Sequence, residues 1–225
     1  PDYLDHQGDQ IMEVGHYPYG KGIIGLTAIY HAHSQRMDLQ WAASMDGIQW
    51  WRPERQSCLP NGMLGDYGGG MIWPTRTLIE HEDRWYIYYG ALDGLHGDVH
   101  QNSDNCLLFH GAFCRASWQV GRLWAAMQAA GGRDMEGYLT TKPKAHEGKT
   151  LYVNAKARRQ GCILAELRTA EGQVIDGYSR DDCTPIIGDE KCLAVQWKLN
   201  EVCPQGDVCV RFYLRDAFLY GFDWR

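Results

Sequence analysis

The feature that most constrains this chain is a pattern of short apolar runs, each closed by a tight polar turn, that runs once and then restarts. Ile23 to His31 is apolar and β-branched, as expected of a strand buried on both faces. Met37 to Ala43 follows, with Leu39 and Trp41 alternating with Asp38 and Gln40. Asp46-Gly47 is a strong hairpin signal, and the spacing predicts an outer strand over Ile48–Arg52 that Pro53 ends. The pattern begins again at Gly70 to Glu80, turns at His81-Glu82-Asp83, and continues through Arg84 to Ala91. Such spacing suggests a radial repeat in which each blade is a small antiparallel sheet. Two blades cannot close a ring, and their open edges invite pairing with other chains. Further blades are therefore expected from an N-terminal fragment or a second chain.

From about residue 113 the texture changes. Leu123–Ala129, Gly137–Thr141, Thr150–Ala157, Cys162–Arg168, Leu193–Trp197, Val208–Leu214 and Ala217–Trp224 read as strands, with Glu171-Gly172 and Gln205-Gly206 as turns. Leu123 to Ala130 is Ala- and Met-rich and fits a helix by propensity, but its strand-dense surroundings favour a strand. Six or seven short strands in this span predict a β-sandwich. The expected fold is all-β, the last blades of a five-bladed β-propeller over residues 1–112 followed by a β-sandwich over 113–225.

Composition narrows the function. Nine Trp and thirteen Tyr beside 26 Gly suit strands, turns and flat sugar-stacking surfaces. Net charge is −6 with no basic run, which argues against nucleic acid as a partner. No apolar stretch approaches the ~20 residues of a membrane span, so no membrane partner is expected. The chain starts Pro1-Asp2-Tyr3, without an initiator Met or a leader, and is read as cut from something longer. That start does not reveal localisation, although an extracytoplasmic site is slightly favoured. Eight cysteines include no Cys-x-x-Cys pair, so no structural zinc is expected, and no other cofactor. Cys203 and Cys209 flank a turn and fit a hairpin disulfide, but free buried thiols are the preferred reading.

Two sets of residues carry a family resemblance. Ser44-Met45-Asp46-Gly47-Ile48-Gln49-Trp50-Trp51-Arg52-Pro53 resembles the Ser-x-Asp-Gly-x-x-Trp-x-Arg turn of five-bladed propellers in the levansucrase/invertase and arabinanase groups. Gly70-Met71-Ile72-Trp73 with Trp85 to Gly97 resembles the last blade of bacterial glycosyl-hydrolase-like proteins. Gly137 to Pro143, Gly177 to Ile186 and Arg211 to Tyr220 are similar to the sandwich that follows that blade. The resemblance implies acid/base hydrolysis of carbohydrate in a propeller funnel, with at least one catalytic carboxylate outside this chain. The chain would then be inactive alone. The alternatives are a non-catalytic carbohydrate-binding protein or a scaffold.

A glycosidase needs two carboxyl groups, about 5–5.5 Å apart for retention and roughly 6.5–9.5 Å for inversion. The candidates lie in loops. Asp66 and Tyr67 sit beside Gly68-Gly69-Gly70, where backbone can approach closely. Asp93 and His96 lie in a glycine-flanked loop after an aromatic strand, as carboxylate and as donor or weak base. Tyr17 and Tyr19, before the first inner strand, and Tyr89, in the aromatic run, are candidate sugar-stacking rings. Tyr30 and His31, at that strand's far end, belong with them. Asp46 is read as a hairpin closer. The sandwich aromatics Trp124, Tyr138, Tyr152, Tyr178, Trp197 and Trp224 are expected in the core.

Overall fold

A computed structural model describes residues 2–101, 110–128 and 135–225. The chain is all-β, with two sheets and one short helix among the described residues. It divides into two units, Pro1–Val120 and Gly121–Arg225. No described helix is long and apolar enough to cross a membrane.

In the first unit, strands β1 (Asp9–Tyr19), β2 (Gly22–His31) and β3 (Arg36–Ser44) form an antiparallel meander. A second meander contains β4 (Met71–His81), β5 (Arg84–Leu92) and β6 (Gly111–Gln119), with helix α1 (His96–Gln101) between the last two. The meanders join where β3 and β4 start side by side, parallel, with Met37 beside Met71. Asn61 stitches this junction, its Nδ2 donating to the carbonyls of Met37, Gly68 and Gly70 at 2.9, 3.0 and 3.2 Å.

The register places Leu26 opposite Trp41, and both are buried. Rings from the two meanders then meet: Trp41 lies edge-on to Trp118 at 5.1 Å, and Tyr19 edge-on to Trp85 at 4.8 Å. Leu26, Met37 and Leu39 from the first meander, and Met71, Ile72 and Ile87 from the second, are fully buried. Each such side chain contributes about 1.5–3 kcal/mol by leaving water.

Three expectations change here. Tyr17 and Tyr19, expected in a loop before the first inner strand, belong to the strand Asp9–Tyr19; a register shift between Ile11 and Glu13 breaks its alternation, and Pro18 is tolerated because β1 is an edge. Ile48–Arg52 is not an outer strand, and only Trp51 bridges to β3, exchanging both backbone hydrogen bonds with Ala43 at 2.8 Å. β6 pairs with β5 along its whole length, so the first unit ends at Val120 rather than at residue 112.

The second unit contains β7 (Gly137–Thr140), β8 (Lys144–His146), β9 (Leu151–Thr169), β10 (Asp189–Ala194) and β11 (Gly206–Trp224). Their order is β10-β9-β11-β7, and β8 also pairs with β11. The expected four short strands over 150–168 and 208–224 are in fact two strands of 19 residues each. Both bend at one corner, where the register shifts between Arg215 and Ala217. Arg159 and Asp216 take φ of 27° and 40° there, and a Cβ on Gly161 would sit 2.2 Å from the Asp216 carbonyl.

The polar run Arg158-Arg159-Gln160 reads as a loop in sequence, but the chain keeps to the ladder on either side of it. The bend lets both halves of the sheet line one core, in which Leu151 and Val153 join Ile163 and Leu167, and Phe212 meets Phe222 at 5.4 Å. Leu123–Ala129 is not a strand where it is described, although Ala126 bridges to Leu219. Cys203 and Cys209 are buried free thiols rather than a disulfide, and burial pushes Cys203 up to about 12. Cys106 lies outside the described residues.

Trp197 is the largest fully buried side chain of this core, and its indole donates to the Ala165 carbonyl at 2.9 Å. Trp197→Ala should destabilise the protein by about 3–5 kcal/mol, read as an earlier guanidinium midpoint. A midpoint close to that of the unmodified chain would show that this packing is not what holds the unit.

Candidate functional site

Strand direction decides which candidates share an end of the first unit. β1, β3, β4 and β6 begin at the end where β2 and β5 finish. That end carries Asp66, Tyr67, Asp93 and His96. Tyr17 and Tyr19 lie at the opposite end, so the structure does not bring them to the loops. Tyr17 is buried and its hydroxyl donates to the Thr75 carbonyl at 2.6 Å, which makes it a packing residue. Burial, and then the Glu13 charge, push its hydroxyl pKa well above the ordinary range. Tyr19 keeps an exposed edge but rests on Trp85. Tyr89 is half-buried on β5, opposite Pro74 and Cys114; burial and then the Cys114 thiol raise its pKa.

The loops at the shared end touch. A Cβ on Gly70 would lie 1.8 Å from the Gly94 carbonyl, so two backbones meet where only glycine fits. The turn before β3 joins them: the Gln35 carbonyl accepts from His96 N at 3.0 Å, and Gln35 Oε1 from Gly97 N at 2.9 Å. The His96 ring lies 4.6 Å from Tyr30. Asp66 is exposed; its Oδ2 accepts from Met63 N at 3.2 Å, while no described group bonds Oδ1. With Arg36, Asn61 and Met63 it lines an open depression of about 750 Å3. The Arg36 guanidinium has no partner among the described residues. Tyr67, next to Asp66 in the chain, is 67% exposed.

Asp93 is committed differently. Its carboxylate accepts from His110 N at 3.0 Å and contacts His110 Nδ1 at 2.9 Å. Those bonds hold it below the usual carboxylate range. Asp93 thereby pins the start of β6 rather than standing ready to give a proton.

Sequence reasoning named His31 beside Tyr30 but not the pair of carboxylates that hold it. His31 lies between two carboxylates, with Nδ1 2.9 Å from Asp9 and Nε2 3.3 Å from Asp38. Burial opposes a charge on His31, but Asp9 and then Asp38 outweigh it, and its pKa is raised. Burial likewise raises Asp38, against the His31 charge. The one legible signal was Asp38, a carboxylate in a strand whose neighbours Met37 and Leu39 are buried. No three described His, Cys, Asp or Glu side chains are grouped to hold a metal. Asp46 folds the tight turn after β3, its Oδ1 accepting from the Ile48 and Gln49 amides, both at 2.8 Å, but no second strand follows to make a hairpin.

No family model matches the sequence, and no curated protein does. Among solved structures, a glycoside hydrolase family 43 arabinoxylan arabinofuranohydrolase from Bacillus subtilis, in complex with cellotetraose, is similar with a TM-score of 0.28. The two are 10% identical, and the match covers 94% of this chain and 53% of that one. A likeness this slight carries no argument about function.

The His31 cluster sets a pH dependence. A histidine raised in the folded state stabilises fully below its unfolded pKa, near 6.5, and that stability is lost as pH rises through the folded value. Asp38, also raised, acts with the same sign from its own lower range. Asp9→Asn should therefore flatten the fall in Tm between about pH 6 and 8. It should also lower the His31 pKa read from ring NMR shifts. An unchanged His31 titration would refute the pairing.

Proposed function

We propose that this chain binds carbohydrate at the loop end of its first unit, as part of a glycoside-hydrolase-like protein, and does not cleave glycosides alone. The observation that carries this reading is the depression walled by Arg36, Asn61 and Asp66, with the exposed Tyr67 ring in the same loop. An open carboxylate oxygen and an unpaired guanidinium suit the acceptors and donors of sugar hydroxyls, and a free tyrosine face suits a pyranose or furanose ring. The motif order across the chain, which resembles glycosyl-hydrolase-like propellers, supports carbohydrate as the ligand class.

Hydrolysis needs a general acid kept protonated near neutral pH. Asp93 does not fit that role, since His110 holds it ionised. One observation favours the hydrolytic reading as second choice: Asp38 is a raised carboxyl near a second one, Asp9.

Calorimetry on the whole chain with neutral arabino-, xylo-, cello- and fructo-oligosaccharides tests the first reading. One of these should bind, and Tyr67→Ala and Arg36→Ala should each weaken it about 3- to 10-fold without product formation. Binding that neither variant changes, or no binding at all, would refute it. Sugar release abolished by Asp38→Asn would establish the second reading instead.

A further inference from the structure

The exposed face of the second unit holds an arginine prepared for a ligand. Arg211 on β11 lies over the Tyr138 ring, its guanidinium carbon 4.7 Å from the centroid. Its Nε donates to Thr140 Oγ1 at 2.8 Å. The ring contact and the hydroxyl together hold the guanidinium, and its two terminal nitrogens, which form one edge of the group, have no partner among the described residues. That edge is the fork that receives a carboxylate through two parallel hydrogen bonds.

The protein supplies no carboxylate for it among the described residues. Glu166 is opposite Arg211 in the ladder, but its Oε1 is taken by Arg168 Nε at 2.7 Å and the Tyr213 hydroxyl at 3.1 Å. Glu136 is held by both terminal nitrogens of Arg180, at 2.7 and 3.0 Å. Arg180 itself lies 4.4 Å over Tyr213, whose ring is 6.4 Å from Tyr138. Arg180 Nε also lies 4.0 Å from Asp181, so of these three arginines Arg211 alone is left without a carboxylate among the described residues.

We propose that this strip binds an acidic sugar, with the ligand carboxylate on the Arg211 fork and the sugar ring against Tyr138. Tyr138 is 66% exposed, so ring surface remains open beside the fork. Thr140 Oγ1 accepts from Arg211 and keeps its own hydrogen to donate to a sugar hydroxyl. The choice of a sugar over another carboxylate rests on the carbohydrate reading above. The site is separate in sequence and in unit from the loop end, which lets the two be tested apart.

The test compares trigalacturonic acid with its methyl ester, which keeps the skeleton and removes the charge, by calorimetry on the whole chain. The acid should bind about ten- to a hundredfold more tightly than the ester. Arg211→Gln and Arg211→Lys should both abolish that difference, because lysine keeps the charge but not the fork. Thermal melting verifies that the variants fold, and the acid-against-ester comparison on the unmodified chain needs no variant. Equal affinity for acid and ester, full binding by Arg211→Lys, or displacement by an equal concentration of acetate would each overturn the proposal. Arg36→Ala should leave acid binding intact. Failure of the loop-end reading therefore appears as lost or absent neutral-sugar binding alone, and failure of this one as a lost acid preference alone.

Discussion

The first unit depends on a backbone contact that only glycine permits. Gly70 lies so close to the Gly94 carbonyl that no side chain fits between them, and Gly70 also receives Met37 N and donates to the Leu92 carbonyl. Through this one residue the start of β3, the start of β4 and the end of β5 are tied together. Asn61 Nδ2 donates to the same Gly70 carbonyl and to the carbonyl of Met37. Everything distinctive about the loop end follows: Asp66 and Tyr67 precede the contact, Asp93 and His96 flank its other side, and Gln35 clasps the second loop from below. The aromatic packing of Trp41 on Trp118 holds the meanders in register. The glycine contact decides which loops become neighbours.

The second unit uses glycine for a different purpose. Two long strands turn a corner together, and Gly161 removes the one side chain that would strike the Asp216 carbonyl. With the corner made, the inward residues of both halves share a core and the outward ones become a run of arginines on aromatic rings. Arg158 lies over Phe218, Arg122 over Tyr220 and Arg225 over Tyr152, as well as the pairs on Tyr138 and Tyr213. The folded sheet thus sorts the aromatic residues of this unit in two directions, Trp197 inward and Tyr138 outward.

Much of this was legible in the amino-acid sequence, for identifiable reasons. β2, β3, β4 and β5 announce themselves because their apolar runs are bounded by turn residues, and Asp46-Gly47 forms the hydrogen-bonded turn its chemistry demands. β1 was hidden by a bulge and by an edge proline. The continuity of β9 and β11 was hidden because polar residues at a bend look the same as polar residues in a loop. The candidate site divided along the same line. Glycine-rich loops with nearby polar residues marked Asp66, Tyr67, Asp93 and His96, whose neighbourhood is real. Tyr17 and Tyr19 do not share their end of the unit, because the position of both depends on β1, whose direction carries them to the opposite one. The Asp9–His31–Asp38 cluster joins three strands, and no local pattern reports a contact that the sheet register creates.

The loop end therefore combines an exposed, open depression with a part-buried charge cluster, and the central claim is that sugar meets the chain there. Hydrogen–deuterium exchange across the whole chain, with and without a bound neutral oligosaccharide, tests this most directly. The account predicts slowed exchange in residues 61–70 and 93–97, with the rest of the first unit unchanged. Protection confined to the opposite end, around Tyr19 and Gly22, or spread evenly over the chain, would contradict it.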